Sequence, residues 1–392
     1  MRPRKIREGV YWVGAVDWDR RLFDSLIPLP DGTSYNAYLI QGSEKTALLD
    51  AVDPSKVHLL MAQLEGVPRV DYIVAHHAEQ DHSGGIPHVL QKYPGARVLA
   101  SSKGKPMLVD HLHLSPEVIA VVEDGETLSL GGKTLQFVYT PWVHWPETMS
   151  TYLQEDRILF SCDFFGSHLA TTDLFVTEPA RVYEAAKRYY AEIMMPFRKI
   201  IRGNLDKIAP LDLALIAPSH GPIYDDPAFI VKAYAEWIAD EPKNEVVLPY
   251  VSMHGSTARM VEFLVAALAE RGIRVHQFDL SVTDLGKLAI TLVDAATLVV
   301  GTPTVLTGAH PHAASAAYLV NALRPKLRFV SVIGSYGWGG KAVDQLMGLL
   351  SNLKVEVLDP VLCKGLPREE DFAALERLAD AIAARHRELG LL

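Results

Sequence analysis

Cysteine is scarce in this sequence. Its 392 residues include only Cys162 and Cys363, which lie far apart along the chain. This scarcity excludes a disulfide framework and any zinc or iron-sulfur site built mainly from thiolates. A metal in this protein must therefore be bound by His, Asp and Glu, a ligand set that favours iron, manganese or zinc.

Basic clusters and long apolar runs are also missing. The formal net charge is -9 and no cluster of Lys and Arg is present, which argues against a nucleic-acid binder. No stretch approaches the ~18 consecutive apolar residues of a membrane span, and no apolar segment follows the basic N-terminus. We therefore expect a cytoplasmic protein that acts on small molecules or proteins, without membrane or nucleic acid.

The length favours two domains, since a typical domain has ~100 to 200 residues. Hydrophobic residues make up 49% and charged residues 22%, as in an ordinary globular protein. Around ADEPKNE, residues 239–245, the sequence becomes charged, contains Pro242 and loses apolar periodicity. The sequence therefore predicts one domain over residues 1–242 and a second over residues 243–392.

The first domain alternates short apolar runs with turns and short amphipathic segments. Several runs end close to a polar residue of metal-ligand type, namely VDYIVAHH at His77, TLQFVYTPWVH at His144, RILFSCD at Asp163 and LALIAPSH at His220. Strand ends are where α/β folds gather functional groups. We expect these side chains to meet at one site.

The densest group of candidate ligands lies in VAHHAEQDHSGG, where His77, Glu79, Asp81 and His82 occupy six positions. Two carboxylates in one short loop would repel each other unless a cation neutralised them. A second metal needs further ligands, and the other three strand-end residues supply two imidazoles and a carboxylate. An Asp such as Asp163 commonly bridges paired metals.

Three neighbouring residues have less certain roles in the sequence. His82 either binds the second metal or donates a hydrogen bond to a ligand, and the sequence does not choose between these roles. His76 is expected to pack. Cys162 precedes Asp163 within an apolar strand and is expected to point to the opposite face as a small buried hydrophobe.

The second domain has five short strand-like runs separated by helices, which predicts a five-stranded parallel doubly wound sheet. The loop SMHGST after the first strand can direct backbone N–H groups and hydroxyls at a phosphate, and it has no GxxxxGK[ST] motif. A monophosphate such as that of FMN suits a loop without lysine. The candidate FMN-binding residues in three strand-end loops are Ser252, Met253, His254, Gly255, Ser256, Thr257, Thr302, Pro303, Thr304, Gly308, Ser335, Tyr336, Gly337, Trp338 and Gly339.

The pattern HxExDH followed by His, Asp and His resembles the metallo-β-lactamase fold, in which HxHxDH is common. Glu79 replaces the second His and makes the site harder, which favours iron over zinc. Together with a flavodoxin-like half containing SMHGST and GSYGWGG, the chain closely resembles the flavodiiron (A-type flavoprotein) family over nearly its whole length. Other stretches that look like the family are TSYNAYLI, TPWVHWPETM, LFSCDFFGSH and APSHGPI.

This resemblance implies an N-terminal αββα sandwich and a C-terminal flavodoxin-like domain. It also implies an oxidoreductase that reduces O2 to water, NO to N2O, or both, at two irons fed by FMN. The diiron ligands implied are His77, Glu79, Asp81, His144, Asp163 and His220. Tyr190 is a candidate hydrogen-bond donor above the irons, with adjacent Tyr189 nearly as plausible and packing open for both.

The family resemblance further implies a head-to-tail homodimer, alone or paired into a dimer of dimers. The sequence shows no rubredoxin or flavin-reductase module, so we expect a separate electron donor, either rubredoxin or a reduced deazaflavin. A zinc-dependent hydrolase with a regulatory flavodoxin domain is the main alternative. A non-enzymatic FMN electron carrier with a degenerate metal site is the third hypothesis.

Overall fold

The computed structural model describes residues 2–392, which form two compact units. The first comprises residues 2–190 and 197–238, and the second comprises residues 191–196 and 239–392. The predicted boundary after Pro242 stays a prediction. Within the described residues, no helix combines the length and the apolar character needed to cross a membrane.

The first unit contains two large sheets and two small two-stranded ones. The strand order is β1-β2-β7-β8-β9-β10-β11 in one large sheet and β12-β13-β14-β15-β16 in the other, while β3 pairs with β6 and β4 with β5. The strands are β1 (Arg4–Arg7), β2 (Val10–Trp12), β3 (Ala15–Asp17), β4 (Leu22–Phe23), β5 (Ile27–Pro28), β6 (Thr33–Tyr35), β7 (Tyr38–Gln41), β8 (Thr46–Leu49), β9 (Tyr72–Val74), β10 (Arg97–Ala100), β11 (Ile119–Val121), β12 (Thr127–Ser129), β13 (Thr134–Tyr139), β14 (Met149–Leu153), β15 (Ile158–Cys162) and β16 (Leu215–Pro218). The helices are α1 (Val57–Gln63), α2 (Gln80–Ser83), α3 (Ile86–Lys92), α4 (Gly104–Leu112), α5 (Pro179–Tyr189), α6 (Arg198–Ile208) and α7 (Pro227–Ile238).

Strand β8 shows how the two layers are built. Side chains alternate across a strand, so Ala47 and Leu49 face one side and Leu48 the other. Ala47 and Leu49 join a core that includes Phe137 and Phe160 of the second sheet. Leu48 joins a different core formed with the helices α1 and α3. The expected sandwich, with two sheets face to face and helices outside, is confirmed.

The second unit is a parallel sheet with helices between its strands. Its order is β18-β17-β19-β21-β22, with β23 also parallel to β21 and β20 antiparallel to β19. The strands are β17 (Lys243–Tyr250), β18 (Arg274–Asp279), β19 (Ala295–Val305), β20 (Gly308–Ala309), β21 (Phe329–Tyr336), β22 (Glu356–Val357) and β23 (Val361–Lys364). The helices are α8 (Ser256–Glu270), α9 (Leu285–Leu292), α10 (Pro311–Leu323), α11 (Ala342–Leu349) and α12 (Glu369–Glu388).

The fifth position of this sheet is divided between two short strands. The run VEVLDPVL predicts one strand, but β22 ends at Val357 and β23 begins at Val361. Pro360 between them has no N–H to donate to the ladder, which explains the interruption. The five-position doubly wound arrangement itself is confirmed.

Candidate metal centre

The first unit brings all six predicted ligands together, from strand ends, a one-turn helix and a loop. His77 follows β9, and Asp163 and His220 follow β15 and β16. Glu79 caps the one-turn helix α2, whose second residue is Asp81. The helix is held in place by Ser83, whose hydroxyl donates to the carbonyls of Ala78 and Glu79. His144 lies in the loop between β13 and β14.

One group of four side chains surrounds a point beside Glu79. The Glu79 Oε2 atom is 3.1 Å from Nε2 of His77 and 3.1 Å from Nε2 of His144. The Asp163 Oδ2 atom is 3.5 Å and 3.7 Å from the same two nitrogens. These four residues offer one nitrogen or oxygen each, close enough to bind a single metal ion.

A second group lies on the other side of Asp163. The Oδ1 atom of Asp163 is 3.1 Å from His82 Nε2 and 3.3 Å from His220 Nε2. Asp81 approaches the same two imidazoles, with Oδ1 3.4 Å from His82 and Oδ2 3.3 Å from His220. Because each oxygen of Asp163 faces a different group, its carboxylate has the placement of a bridging ligand.

Unpaired atoms at the centre show that these residues suit cations. Both carboxylate oxygens of Asp81 and Asp163 and the Nε2 of His82 are buried and have no partner in hydrogen-bond geometry. Buried polar atoms almost always have partners, so several orphans pointing at one place indicate a missing charged group. Two metal ions would satisfy these atoms and neutralise the carboxylates.

The pKa shifts of the candidate ligands agree with this reading. Burial disfavours the charged imidazole of His77, but the hydrogen bonds to Glu147 and Glu79 outweigh it and raise its pKa to about 9. Burial acts the same way on His220, whose pKa is also raised to about 9 by the carboxylates of Asp163 and Asp81. Despite burial, the imidazoles hold the pKa of Asp163 well below its usual range. These shifts follow from the density of carboxylates, which favours positive charge at this centre.

The Nδ1 atoms of two of the imidazole rings are hydrogen-bonded to groups that the sequence did not indicate. Nδ1 of His77 donates to Glu147 Oε1 at 2.7 Å, and Nδ1 of His220 donates to the Ser34 carbonyl oxygen at 2.7 Å. These bonds leave Nε2 free to bind a metal. Glu147 lies three residues after His144, and a lone carboxylate in that aromatic loop was the signal available in the sequence.

Two neighbours of the ligands occupy positions that the structure now defines. His76 is buried, as expected, and its ring is hydrogen-bonded by Asp50 Oδ2 and Thr151 Oγ1, each at 2.7 Å. Cys162 was expected to point away from the site, and this is wrong because its Sγ lies 3.9 Å from His82 Nδ1. The register of β15 against β16 shifts at this residue and its φ is +53°, which breaks the simple alternation of side chains.

Of the two candidate tyrosines, Tyr189 is the one whose ring lies beside a predicted ligand. The Tyr189 ring lies 5.7 Å from the His220 ring, and burial together with the Asp163 carboxylate raises its pKa well above the usual value. Tyr190 instead packs against Tyr234 and Trp237, with its hydroxyl 3.4 Å from the Trp237 carbonyl oxygen. Consecutive residues near the end of a helix point in different directions, which separates the two rings.

The three predicted flavin loops of the second unit lie at one edge of its sheet. They lie at the C-terminal ends of β17, β19 and β21, which are parallel neighbours, and Ser335 and Tyr336 are the last two residues of β21 itself. Residues Ser252–Gly255 precede α8, and Gly255, with φ +85°, caps that helix. Thr257 Oγ1 lies 3.4 Å from Ser335 Oγ, so the first and third loops touch.

The second flavin loop differs from expectation in its form. Residues Thr302–Thr304 continue β19 and Gly308 begins β20, so the segment is a hairpin rather than an open loop. A cavity of about 410 Å³ beside it is lined by Thr304, Tyr336 and Gly339 among others. Trp338, a candidate stacking residue with Tyr336, is 87% exposed. A helix N-terminus, hydroxyls and a cavity together suit a phosphorylated planar ligand.

Comparison with known proteins agrees with both halves. Residues 33–221 match the model of the ODP family beta lactamase, and residues 248–377 match the flavodoxin model. A nitric oxide reductase of Moorella thermoacetica is 37% identical, with 98% of each chain covered. A coenzyme F420H(2) oxidase of Methanothermobacter marburgensis is 34% identical, covering 90% of this chain and 91% of the relative.

Solved structures agree over the whole length. The rubredoxin oxygen:oxidoreductase of Desulfovibrio gigas matches with a TM-score of 0.95 and 30% identity, covering 100% of both chains. The flavodiiron protein of Giardia intestinalis matches with a TM-score of 0.91 and 25% identity, covering 99% of this chain and 98% of the other. Because the likeness extends across both units in the same order, this chain belongs to the flavodiiron (A-type flavoprotein) family.

Proposed function

We propose that this protein is an oxidoreductase that reduces O2 to water, NO to N2O, or both, using two irons and FMN. The observation that carries the proposal is the pair of ligand groups that share Asp163, of which one includes the carboxylate of Glu79. A flavodoxin unit in the same chain supplies a place for the electron-carrying flavin. FMN held by the flavodoxin unit and iron held by the two ligand groups would together supply the electrons for reduction of the gas.

The proposed iron ligands are His77, Glu79, Asp81, His144, Asp163 and His220, with His82 as a further nitrogen facing the second group. Iron is favoured over zinc because Glu79 makes the first group a mixture of two imidazoles and two carboxylates. The names of the relatives include both nitric oxide reductase and an oxygen oxidoreductase. Both gases are therefore retained as substrates.

The protein's own residues define how a small gas reaches the centre. The side chains of Glu79 and His144 are 14% and 15% exposed, whereas those of His77, Asp81, Asp163 and His220 are nearly closed to solvent. Approach is therefore from the Glu79 side. Tyr189 keeps its proton at neutral pH and is an O–H donor beside Asp163.

The proposed FMN site consists of the residues predicted in the three loops, at the C-terminal ends of β17, β19 and β21. Electrons enter from a separate donor, and the names of two similar proteins point to rubredoxin or to the reduced deazaflavin coenzyme F420. A head-to-tail homodimer, which would bring the flavin of one subunit to the irons of another, is part of the proposal, as is a cytoplasmic location.

Metal and flavin analysis followed by anaerobic stopped-flow mixing tests this function. We expect about two irons and one FMN per chain, and rapid reoxidation of the reduced flavin by O2, by NO or by both. The two gases are compared in parallel, because no residue distinguishes them. A protein that contains zinc, hydrolyses esters or thioesters and leaves reduced flavin unchanged would instead be the metallohydrolase. The Glu79 carboxylate and the flavodoxin unit disfavour that alternative.

A further inference from the structure

Three imidazoles, those of His77, His82 and His220, direct Nε2 at the metal centre. The partners of their Nδ1 atoms differ. His77 Nδ1 donates to a carboxylate, that of Glu147, at 2.7 Å. His220 Nδ1 donates to the Ser34 carbonyl oxygen at the same distance, and His82 Nδ1 has the Cys162 thiol at 3.9 Å. A carboxylate polarises an imidazole N–H more strongly than a neutral carbonyl or thiol does. His77 is therefore the most electron-rich of the three.

The Glu147 carboxylate is held so that it cannot turn away from His77. Glu147 is 3% exposed, and its Oε1 also accepts a hydrogen bond from the Ala78 backbone N–H at 3.0 Å. The Ser101 hydroxyl donates to the Glu147 carbonyl oxygen at 2.6 Å, which fixes the backbone. Glu147 thus joins the loop that carries His144 to the strand end that carries His77, two members of the first ligand group.

We propose that Glu147 is a positioning residue that makes the two metals of the centre unequal. It fixes His77 as an Nε2 ligand and lowers the reduction potential of the iron held by the first group, because a more electron-rich imidazole stabilises the ferric state. On the Asp81 side, within the described residues, neither imidazole donates a hydrogen bond from Nδ1 to a carboxylate. His220 donates to a carbonyl oxygen, and His82 faces the Cys162 thiol, with the Asp50 carboxylate within 4.8 Å but not hydrogen-bonded to it. This inference rests on the proposed iron pair and adds to it an order of reduction, with the iron of the second group reduced first.

Two substitutions separate the charge of Glu147 from its hydrogen bonds. Glu147→Gln keeps an Oε1 that accepts from both His77 and Ala78 but removes the charge. Glu147→Ala removes both. Glu155→Gln is the matched control, because Glu155 is an exposed carboxylate that also accepts two hydrogen bonds, both from Thr134.

The readouts are ⁵⁷Fe Mössbauer spectra, redox titration and competition for Fe²⁺ with a chelator. In Glu147→Gln we expect both irons to remain, one of the two Mössbauer doublets to shift, and that iron to be reduced at a higher potential. Its Fe²⁺ affinity should fall about tenfold, and that of Glu147→Ala about a hundredfold with loss of one iron of the pair. Glu155→Gln should match the wild type in each measurement.

An unchanged pair of doublets in Glu147→Gln, or an equal change in both, overturns the proposal. Wild-type protein without iron would contradict the proposed function instead, so the two failures are distinguishable. Thermal unfolding of the metal-free proteins shows whether each variant folds. If Glu147→Ala does not fold, the measurements on Glu147→Gln alone decide the test.

Discussion

At the scale of single residues, Tyr189 and Tyr190 form a natural matched pair. We expect Tyr189→Phe to slow gas reduction about tenfold, because it removes an O–H donor beside Asp163 that is worth roughly 1.5 kcal/mol. Tyr190→Phe should leave the rate within about twofold, since Tyr190 packs against Tyr234 and Trp237. Stopped-flow reoxidation with iron content measured in parallel makes the comparison. If gas reduction were slow in Tyr190→Phe and normal in Tyr189→Phe, Tyr190 would be the hydrogen-bond donor instead.

We expect the carboxylate of Glu79 to decide which metal the first group prefers. Glu79→His restores an imidazole and is expected to raise the zinc-to-iron ratio of purified protein at least about tenfold. Glu79→Asp retains a carboxylate on a shorter arm and should keep the wild-type ratio, even if total metal falls. Elemental analysis of the three proteins from cells given equal iron and zinc gives the answer. Equal ratios in all three would show that Glu79 does not select the metal.

The sequence indicated candidate ligands where they are dense and missed the groups that hydrogen-bond them from behind. His77, Glu79 and Asp81 stand out because three ligand types share five positions. Glu147 is not apparent in the same way, because its partner His77 is 70 residues away and only the folded chain joins them. The direction of Cys162 was wrong because alternation along a strand assumes a regular ladder, and here the ladder shifts.

At the scale of elements, β19 and β21 approach each other closely at Gly334. A Cβ added there would stand 1.9 Å from the Thr302 carbonyl oxygen, a backbone atom that cannot turn aside. We expect Gly334→Ala to lower the free energy of unfolding by about 3 kcal/mol. Gly337→Ala is the control, since an added Cβ there meets nothing within 4 Å. Urea unfolding of the flavin-free proteins, followed by circular dichroism, should separate the two variants.

Helix α12 is attached to its sheet by a buried histidine. His386 Nδ1 donates to Asn244 Oδ1 at 2.7 Å, and its Nε2 is 2.8 Å from the Thr297 hydroxyl. Burial lowers the pKa of His386 from 6.5 to about 4. Between these two pH values the unfolded chain binds a proton that the folded protein does not, so stability falls as the pH drops. Above pH 6.5 His386 is neutral in both the folded and the unfolded chain, so its contribution to stability no longer changes with pH.

Hydrogen exchange of the α12 amides at pH 7 and pH 5 measures this effect. Wild-type protection, corrected for intrinsic exchange rates, should decrease at pH 5. His386→Gln should have lower protection at pH 7 and a smaller decrease between the two pH values, because it cannot titrate. The same decrease in both proteins would mean that another group is responsible.

Most strands and helices follow from local pattern, and the exceptions have local causes. Alternation and helical spacing indicate β7, β8, α1 and the long helices of the second unit. The β19–β20 hairpin was taken for an open loop because its turn residues also suit one. The one-turn helix α2 was not predicted, because four residues are too few to show helical spacing. Short elements depend on contacts that sequence spacing does not contain.

At the scale of the whole molecule, each unit has its own core. The two core clusters of the first unit use residues between Ile6 and Ile223, and the main cluster of the second uses residues between Val246 and Ala383. The charged segment with Pro242 lies between them in sequence. Two domains were predictable because composition changes at that segment. The dimer proposed for electron transfer is a property of two chains, which one sequence indicates only through its relatives.

Separate cores predict that the two cofactors can be lost separately. His144→Ala removes a ligand of the first group and should abolish iron binding there and gas reduction, while FMN stays bound with wild-type affinity. The reciprocal variant is Ser252→Ala, because Ser252 Oγ accepts a hydrogen bond from the Ala258 N–H and so shapes the proposed phosphate loop. It should weaken FMN binding about tenfold and leave the iron content unchanged. Iron analysis and flavin fluorescence titration measure the iron content and the FMN affinity of each variant. Loss of both cofactors from either variant would show that the two sites depend on each other.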